Sequence, residues 1–211
     1  MHCPKIFGIG MSRTGTKSLS CALHQLGFQI AHFPDDEVTF QELSIGNYQF
    51  SILNKLDGIT DITVAYFYPQ LDRLLPDSKF ILTVRNKQDW LNSVESHWAK
   101  HPCFNDPNRQ RPEDQTHMAV RQLLCATIYG SYKFNRERAS YIYDLHYNNV
   151  NDYFADRPED LLILDICSGE GWQKLCHFLN KPLQTSPFPQ IRDQTDPQTL
   201  TTTTDRSLAM V

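Results

Sequence analysis

The sequence predicts an α/β fold: a three-layer domain with a parallel central sheet flanked by helices. Three observations carry this. Short apolar runs alternate with amphipathic helical segments along most of the chain, the order produced when each strand is joined to the next by a helical crossover. The runs Lys5–Gly10, Lys79–Val84 and Leu161–Asp165 are almost wholly apolar, as strands covered on both faces are. The length, 211 residues, supplies one well-cored domain and would be cramped for two.

Taken in order, Lys5–Gly10 reads as a short buried strand, followed by a Gly/Ser/Thr turn. A helix comes next, because Leu19, Ala22, Leu23 and Leu26 fall at i, i+3, i+4 and i+7. Gly27 ends it, and Phe28–Ala31 forms a second strand. Val38–Leu43 and Tyr48–Leu56 are weaker helical segments. Ile59–Val64 is expected as a third strand, with a helix around Phe67–Leu75 behind it. Pro76-Asp77-Ser78 turns the chain into Lys79–Val84, its most strand-like run.

Asp89–Lys100 is expected to be helical and His101–Asp114 a polar loop. Two longer helices, Glu113–Lys133 and Glu137–Phe154, join near Phe134-Asn135. Leu161–Asp165 is the last strand and Gly171–Leu179 the last helix. The domain is expected to occupy residues 1–190. Residues 191–211, including the Thr-rich stretch Thr195–Thr204, have no apolar periodicity and are expected to form a disordered tail.

Composition narrows the function. A formal charge of −4 gives no general basic field, which argues against a nucleic-acid binder and requires any anion to be held locally. No apolar run approaches the roughly 20 residues of a membrane helix, and the first residues do not read as a secretion signal. The six cysteines contain no C-x-x-C pair. They are expected to be reduced, mostly buried thiols in a cytoplasmic protein, and neither disulfides nor a metal site is expected.

Gly10-Met11-Ser12-Arg13-Thr14-Gly15-Thr16-Lys17-Ser18 joins a buried strand to a helix N-terminus. Glycines allow several N–H groups to converge there, and the helix dipole adds positive charge. Such a loop is built to grip an anion. A Walker A loop places Lys directly after its second Gly, but here Thr16 holds that place. Lys17 lies one residue on, rotated about 100° around the helix. Instead Arg13 stands two residues before Gly15.

The spacing Arg13-Thr14-Gly15-Thr16 resembles the 5′-phosphosulfate loop of sulfotransferases, which share a P-loop-type fold. Two further segments extend the resemblance. Arg85 follows the strand Leu82-Thr83-Val84, and Ser93 comes eight residues later. In that family such a pair holds the 3′-phosphate of the donor 3′-phosphoadenosine 5′-phosphosulfate (PAPS), a role suited to the donor fork of Arg. The block from Leu161 through Gly169-Glu170-Gly171-Trp172 to Phe178-Leu179, with Pro187-Phe188-Pro189, resembles the late strand-loop-helix of small sulfotransferase-like proteins. Two departures stand out: the chain lacks a late Gly-x-x-Gly-x-x-Lys segment, and Ser18 replaces the Trp that stacks on adenine.

The resemblance implies PAPS as donor substrate, no metal, and transfer of a sulfuryl group by in-line displacement to a hydroxyl or amine of a small-molecule or glycan acceptor. It implies donor contacts from Arg13, Thr14, Gly15, Thr16, Lys17, Ser18, Arg85 and Ser93, with Arg13 offsetting charge on the leaving phosphate. Lys17 either assists or is a solvated first-turn residue. The base is sought at strand ends beside the loop. His32 and Asp61 are the candidates, with Asp35 and Asp36 as substitutes. His32 is preferred because its ordinary pKa of about 6.5 suits neutral pH, and Asp61 is its orienting partner or alternative.

Other readings stay open. Leu161–Asp165 also matches a Walker B strand, which would suit a small-molecule kinase, and a nucleotide-binding protein without turnover fits the missing late segment. The glycine motif of methyltransferases, imitated by Leu164–Gly171, is excluded by position, since too little chain follows to complete their sheet. The helical aromatics Tyr129, Tyr132, Phe134, Tyr141, Tyr143 and Tyr147 receive no site role.

Overall fold

The computed structural model describes residues 4–103 and 112–191. The expected tail lies outside these from residue 192 onward, as does much of the expected loop His101–Asp114.

The strands are β1 (Ile6–Gly8), β2 (Ile30–His32), β3 (Gly58–Thr60), β4 (Lys79–Thr83) and β5 (Leu161–Leu164). They form one all-parallel sheet in the order β2-β3-β1-β4-β5. Alternation along the strands explains the three layers. Phe7, Ile59, Phe80 and Leu82 point into one buried cluster, whereas Ile6, Ile30, Ile81 and Leu164 point into another. Both faces are therefore apolar and both must be covered.

On the second face lie helices α1 (Thr16–Gln25) and α8 (Trp172–Phe178), packed through Leu19, Leu23 and Leu175. Helices α2 (Glu37–Ser44), α3 (Ile62–Ala65), α4 (Tyr68–Leu74), α5 (Lys87–Lys100), α6 (Pro112–Tyr129) and α7 (Arg136–Tyr153) cover the first face. Leu43, Val64, Leu71, Trp90, Leu124 and Val150 supply the contacts. Each such side chain contributes on the order of 1.5–3 kcal/mol on burial. The expected three-layer α/β architecture is the one observed.

Three segments differ from expectation. Ile59–Val64 is a strand only through Thr60. Asp61 turns out of the sheet at φ 83°, and its carboxylate accepts from the N–H of Ile62 to start α3. The β-branched run Ile62-Thr63-Val64 mimics a strand, but this cap sets its conformation. Tyr48–Leu56 holds only a short 3-10 turn, Ser51–Asn54. The helix expected over Glu113–Lys133 ends at Tyr129, where Gly130 takes φ 61°. Among the described cysteines, Cys103, Cys125 and Cys176 are buried free thiols, Cys21 is half-buried and Cys167 is exposed.

Candidate active site at the strand ends

The loop after β1 is shaped by its own residues and by β4. Thr14 Oγ1 lies 2.6 Å from both the Met11 carbonyl and Thr83 Oγ1. Gly10 sits where a Cβ would come within 1.9 Å of Thr83 Oγ1, so only glycine lets the backbone pass. Arg13 and Gly15 take φ 75° and 99°. Those left-handed turns bend the chain so that α1 begins at Thr16.

The predicted donor residues converge on this loop. Arg13 Nε donates to Ser93 Oγ (3.1 Å), and Arg85 Nη1 donates to the Arg13 carbonyl (3.4 Å). Arg85 and Ser93 therefore stand beside the loop although 72 and 80 residues separate each from Arg13. Ser18 is placed differently: it is buried in the first turn of α1, where its Oγ accepts the N–H of Ile191 at 2.9 Å. Lys17 is exposed, and its charge acts on His32.

On the other side of the loop, His32 and Asp61 meet. His32 is the last residue of β2, one position beyond the strand end expected from sequence, and it pairs in register with Thr60. Its Nδ1 lies 3.0 Å from Thr60 Oγ1 and its Nε2 lies 3.4 Å from Asp61 Oδ2. Asp61 also accepts from Ser12 Oγ (2.5 Å) and from Thr16 Oγ1 (2.8 Å). Two loop hydroxyls thus fix the carboxylate that faces the imidazole. Burial lowers the pKa of His32 below 6.5, with Lys17 adding to the effect and Asp61 opposing it. The ring is neutral at pH 7 and able to accept a proton.

The two substitutes are engaged elsewhere. Asp36 caps α2, accepting from the N–H groups of Val38 and Thr39. Asp35 Oδ2 lies 2.5 Å from His117 Nδ1. Asp165, the Walker B candidate, caps the 3-10 turn Ile166–Ser168 at the end of β5. That strand is an edge strand, separated from β1 by β4. Among the described residues no group of three or more His, Cys, Asp or Glu is placed to hold a metal ion.

Several supporting residues carry no signal in the sequence. Trp90 Nε1 donates to the Ser12 carbonyl at 2.9 Å. The Tyr143 hydroxyl accepts from the N–H of Arg85 (3.1 Å) and donates to its carbonyl (2.6 Å). His146 is buried from α7 and bonds the Ile9 carbonyl through Nε2 at 2.8 Å. All three sit on helix faces that read as ordinary core, and only the tertiary structure brings their polar atoms to the backbone around the loop and Arg85.

This fold and loop define an α/β protein whose polar side chains converge at the carboxyl ends of its strands, the usual ligand position in open parallel sheets. The chain matches the family model described as sulfotransferase domain over residues 5–196. It belongs to that sulfotransferase family, a family of transferases. It is also 25% identical over 212 aligned positions to a protein of Aspergillus versicolor named Ava biosynthesis cluster protein M, covering 89% of this chain and 80% of the relative. Among the described residues no helix is long and apolar enough to cross a membrane.

Proposed function

We propose that this chain moves a sulfuryl group from PAPS to a hydroxyl or amine of a small-molecule or glycan acceptor. The observation that carries the reading is the two-sided loop. One flank gathers Arg13, Arg85 and Ser93, and the other holds a neutral His32 against Asp61. Cationic donors therefore stand on one side of the transfer point and a proton acceptor on the other, as in-line displacement requires.

The residues present fit such a donor. Gly10 lets the loop backbone pass Thr83 and Gly15 lets it turn at φ 99° into α1, whose start adds its dipole. PAPS supplies the activated sulfuryl group; the chain supplies charge, orientation and a base. The N–H groups of Thr14–Lys17 and the guanidinium of Arg13 hold the 5′-phosphate, and Arg13 offsets the charge that grows as it leaves. Arg85 and Ser93 hold the 3′-phosphate.

Nε2 of His32 faces the Asp61 carboxylate and Nδ1 faces Thr60 Oγ1, and the neutral ring accepts the proton of the acceptor. Asp61 then stabilises the imidazolium that results. A cytosolic setting, in which Cys103 and Cys125 stay reduced, belongs to the same proposal.

Incubation with PAPS labelled in its sulfuryl group tests the proposal, using panels of phenolic, alcoholic and amine acceptors. Label transfer that disappears in His32→Ala supports it. Tight PAP binding with no transfer to any panel would favour a nucleotide-binding protein without turnover.

A further inference from the structure

Two elements would hold the donor: the loop at Ser12–Arg13 and the strand end at Arg85. They follow different strands, β1 and β4, and the distance between them sets which nucleotide fits. The structure ties them together through two aromatic side chains. Arg85 lies just past the β4–β5 ladder, whose last bond runs from the Val84 N–H to the Leu164 carbonyl (3.0 Å). Tyr143, reaching in from α7, satisfies both the N–H and the carbonyl of Arg85 with its one hydroxyl.

The Tyr143 ring packs against Trp90 at a centroid distance of 4.6 Å, the planes tilted by 38°. Trp90 is fully buried, and its indole N–H reaches the Ser12 carbonyl on the opposite element. One continuous path therefore runs from Ser12 through Trp90 and Tyr143 to the backbone of Arg85. Ser93, the contact of Arg13, lies three residues after Trp90, on the same face of α5. Burial raises the pKa of Tyr143, so the phenol keeps the proton it donates.

We infer that Tyr143 and Trp90 are positioning residues that fix Arg85 relative to the loop, and so make the site select nucleotides carrying a 3′-phosphate as well as a 5′-phosphate. The inference rests on the donor assignment above, and it adds a determinant of specificity. A phenol bonded to both backbone groups of one residue leaves that residue little freedom. Without it, Arg85 has two unpaired backbone groups beside the ligand and a wider range of positions. A ligand gripped only through its 5′-phosphate would not register the change.

The test compares the affinity of the whole chain for 3′-phosphoadenosine 5′-phosphate (PAP) and for adenosine 5′-monophosphate (AMP). Tyr143→Phe keeps the ring and its packing against Trp90 and removes only the hydroxyl. It should weaken PAP binding by roughly tenfold while leaving AMP nearly unchanged, the loss expected for one buried hydrogen-bonding group. Trp90→Phe cuts the path at its loop end, and it should lower the PAP-to-AMP affinity ratio as well. In an Arg85→Ala background, Tyr143→Phe should have no further effect on PAP, because it acts through Arg85.

Equal weakening of PAP and AMP in both variants would make the pair ordinary core and overturn the inference, as would additive effects with Arg85→Ala. In either case the preference of the unaltered chain for PAP would leave the donor assignment standing. An unaltered chain that does not prefer PAP to AMP would instead sink that assignment, and this inference with it.

Discussion

His32 ends β2 and Asp61 follows the end of the neighbouring strand β3, with Nε2 of the imidazole 3.4 Å from Oδ2 of the carboxylate. Asp61 is buried, turned to φ 83° and held by the hydroxyls of Ser12 and Thr16. The loop that would hold the donor therefore also orients the partner of the base.

The pH dependence follows from this geometry. Burial lowers the pKa of His32 more than Asp61 raises it, so the proton-accepting form is present at and somewhat below pH 6.5. A plot of kcat/KM against pH should rise through a limb whose midpoint lies below 6.5 and then level off. His32→Ala should flatten that limb and cost on the order of 10²–10⁴ in rate, with PAP affinity spared. An unchanged profile at full rate would move the base to Asp61.

Arg13 and Arg85 should separate in kinetics. Arg85→Ala should weaken PAP binding by about 1.5–3 kcal/mol, the range for a hydrogen bond to a charged group. Arg13→Ala should lower kcat more than it weakens PAP, because its charge matters most as the leaving oxygen forms. Steady-state kinetics paired with PAP titration of each variant would show the split.

Acid should destabilise the fold through His146. Burial lowers its pKa from 6.5 to about 4 in the folded protein, so the unfolded chain binds the proton more readily. The contribution to stability is fully present above about pH 6.5 and is lost as pH falls toward 4. Between pH 7 and 4.5 the loss should be roughly 2–3 kcal/mol, from about 1.36 kcal/mol per pKa unit. Urea unfolding at the two pH values should show it, and His146→Gln should remove most of the difference.

Gly10→Ala should be disruptive out of proportion to one methyl group. Its Cβ would lie 1.9 Å from Thr83 Oγ1 and 2.7 Å from the Thr83 carbonyl, and the second atom belongs to the sheet backbone. A loss of about 1–3 kcal/mol or more is expected from such overpacking, measurable as a fall in melting temperature. PAP binding should weaken with it, since β4 and the loop would have to part.

Much of the fold was legible in the sequence because both faces of the sheet are buried. Strands such as Lys79–Thr83 are then continuous apolar runs, and α1 shows its apolar stripe plainly. The end of β3 was not legible, since Ile62-Thr63-Val64 has strand-like residues and only the cap made by Asp61 explains the helix. The spacing around Arg13 and the Arg85/Ser93 pair pointed to one site, and these residues do converge. Trp90, Tyr143 and His146 were hidden because an aromatic on a helix looks the same whether its polar atom meets solvent or a loop carbonyl. The place of Ser18 beside Ile191 depends on a contact across 173 residues, which local pattern does not encode.

The loop and Arg85 should together bind a 3′,5′-bisphosphorylated adenosine without a metal. Titration calorimetry with PAP and with ATP, each in the presence of Mg²⁺ and again with chelator, tests it most directly. PAP should bind more tightly than ATP, with an affinity that chelation leaves unchanged. Tight binding of ATP that requires Mg²⁺, with PAP bound weakly or not at all, would contradict it.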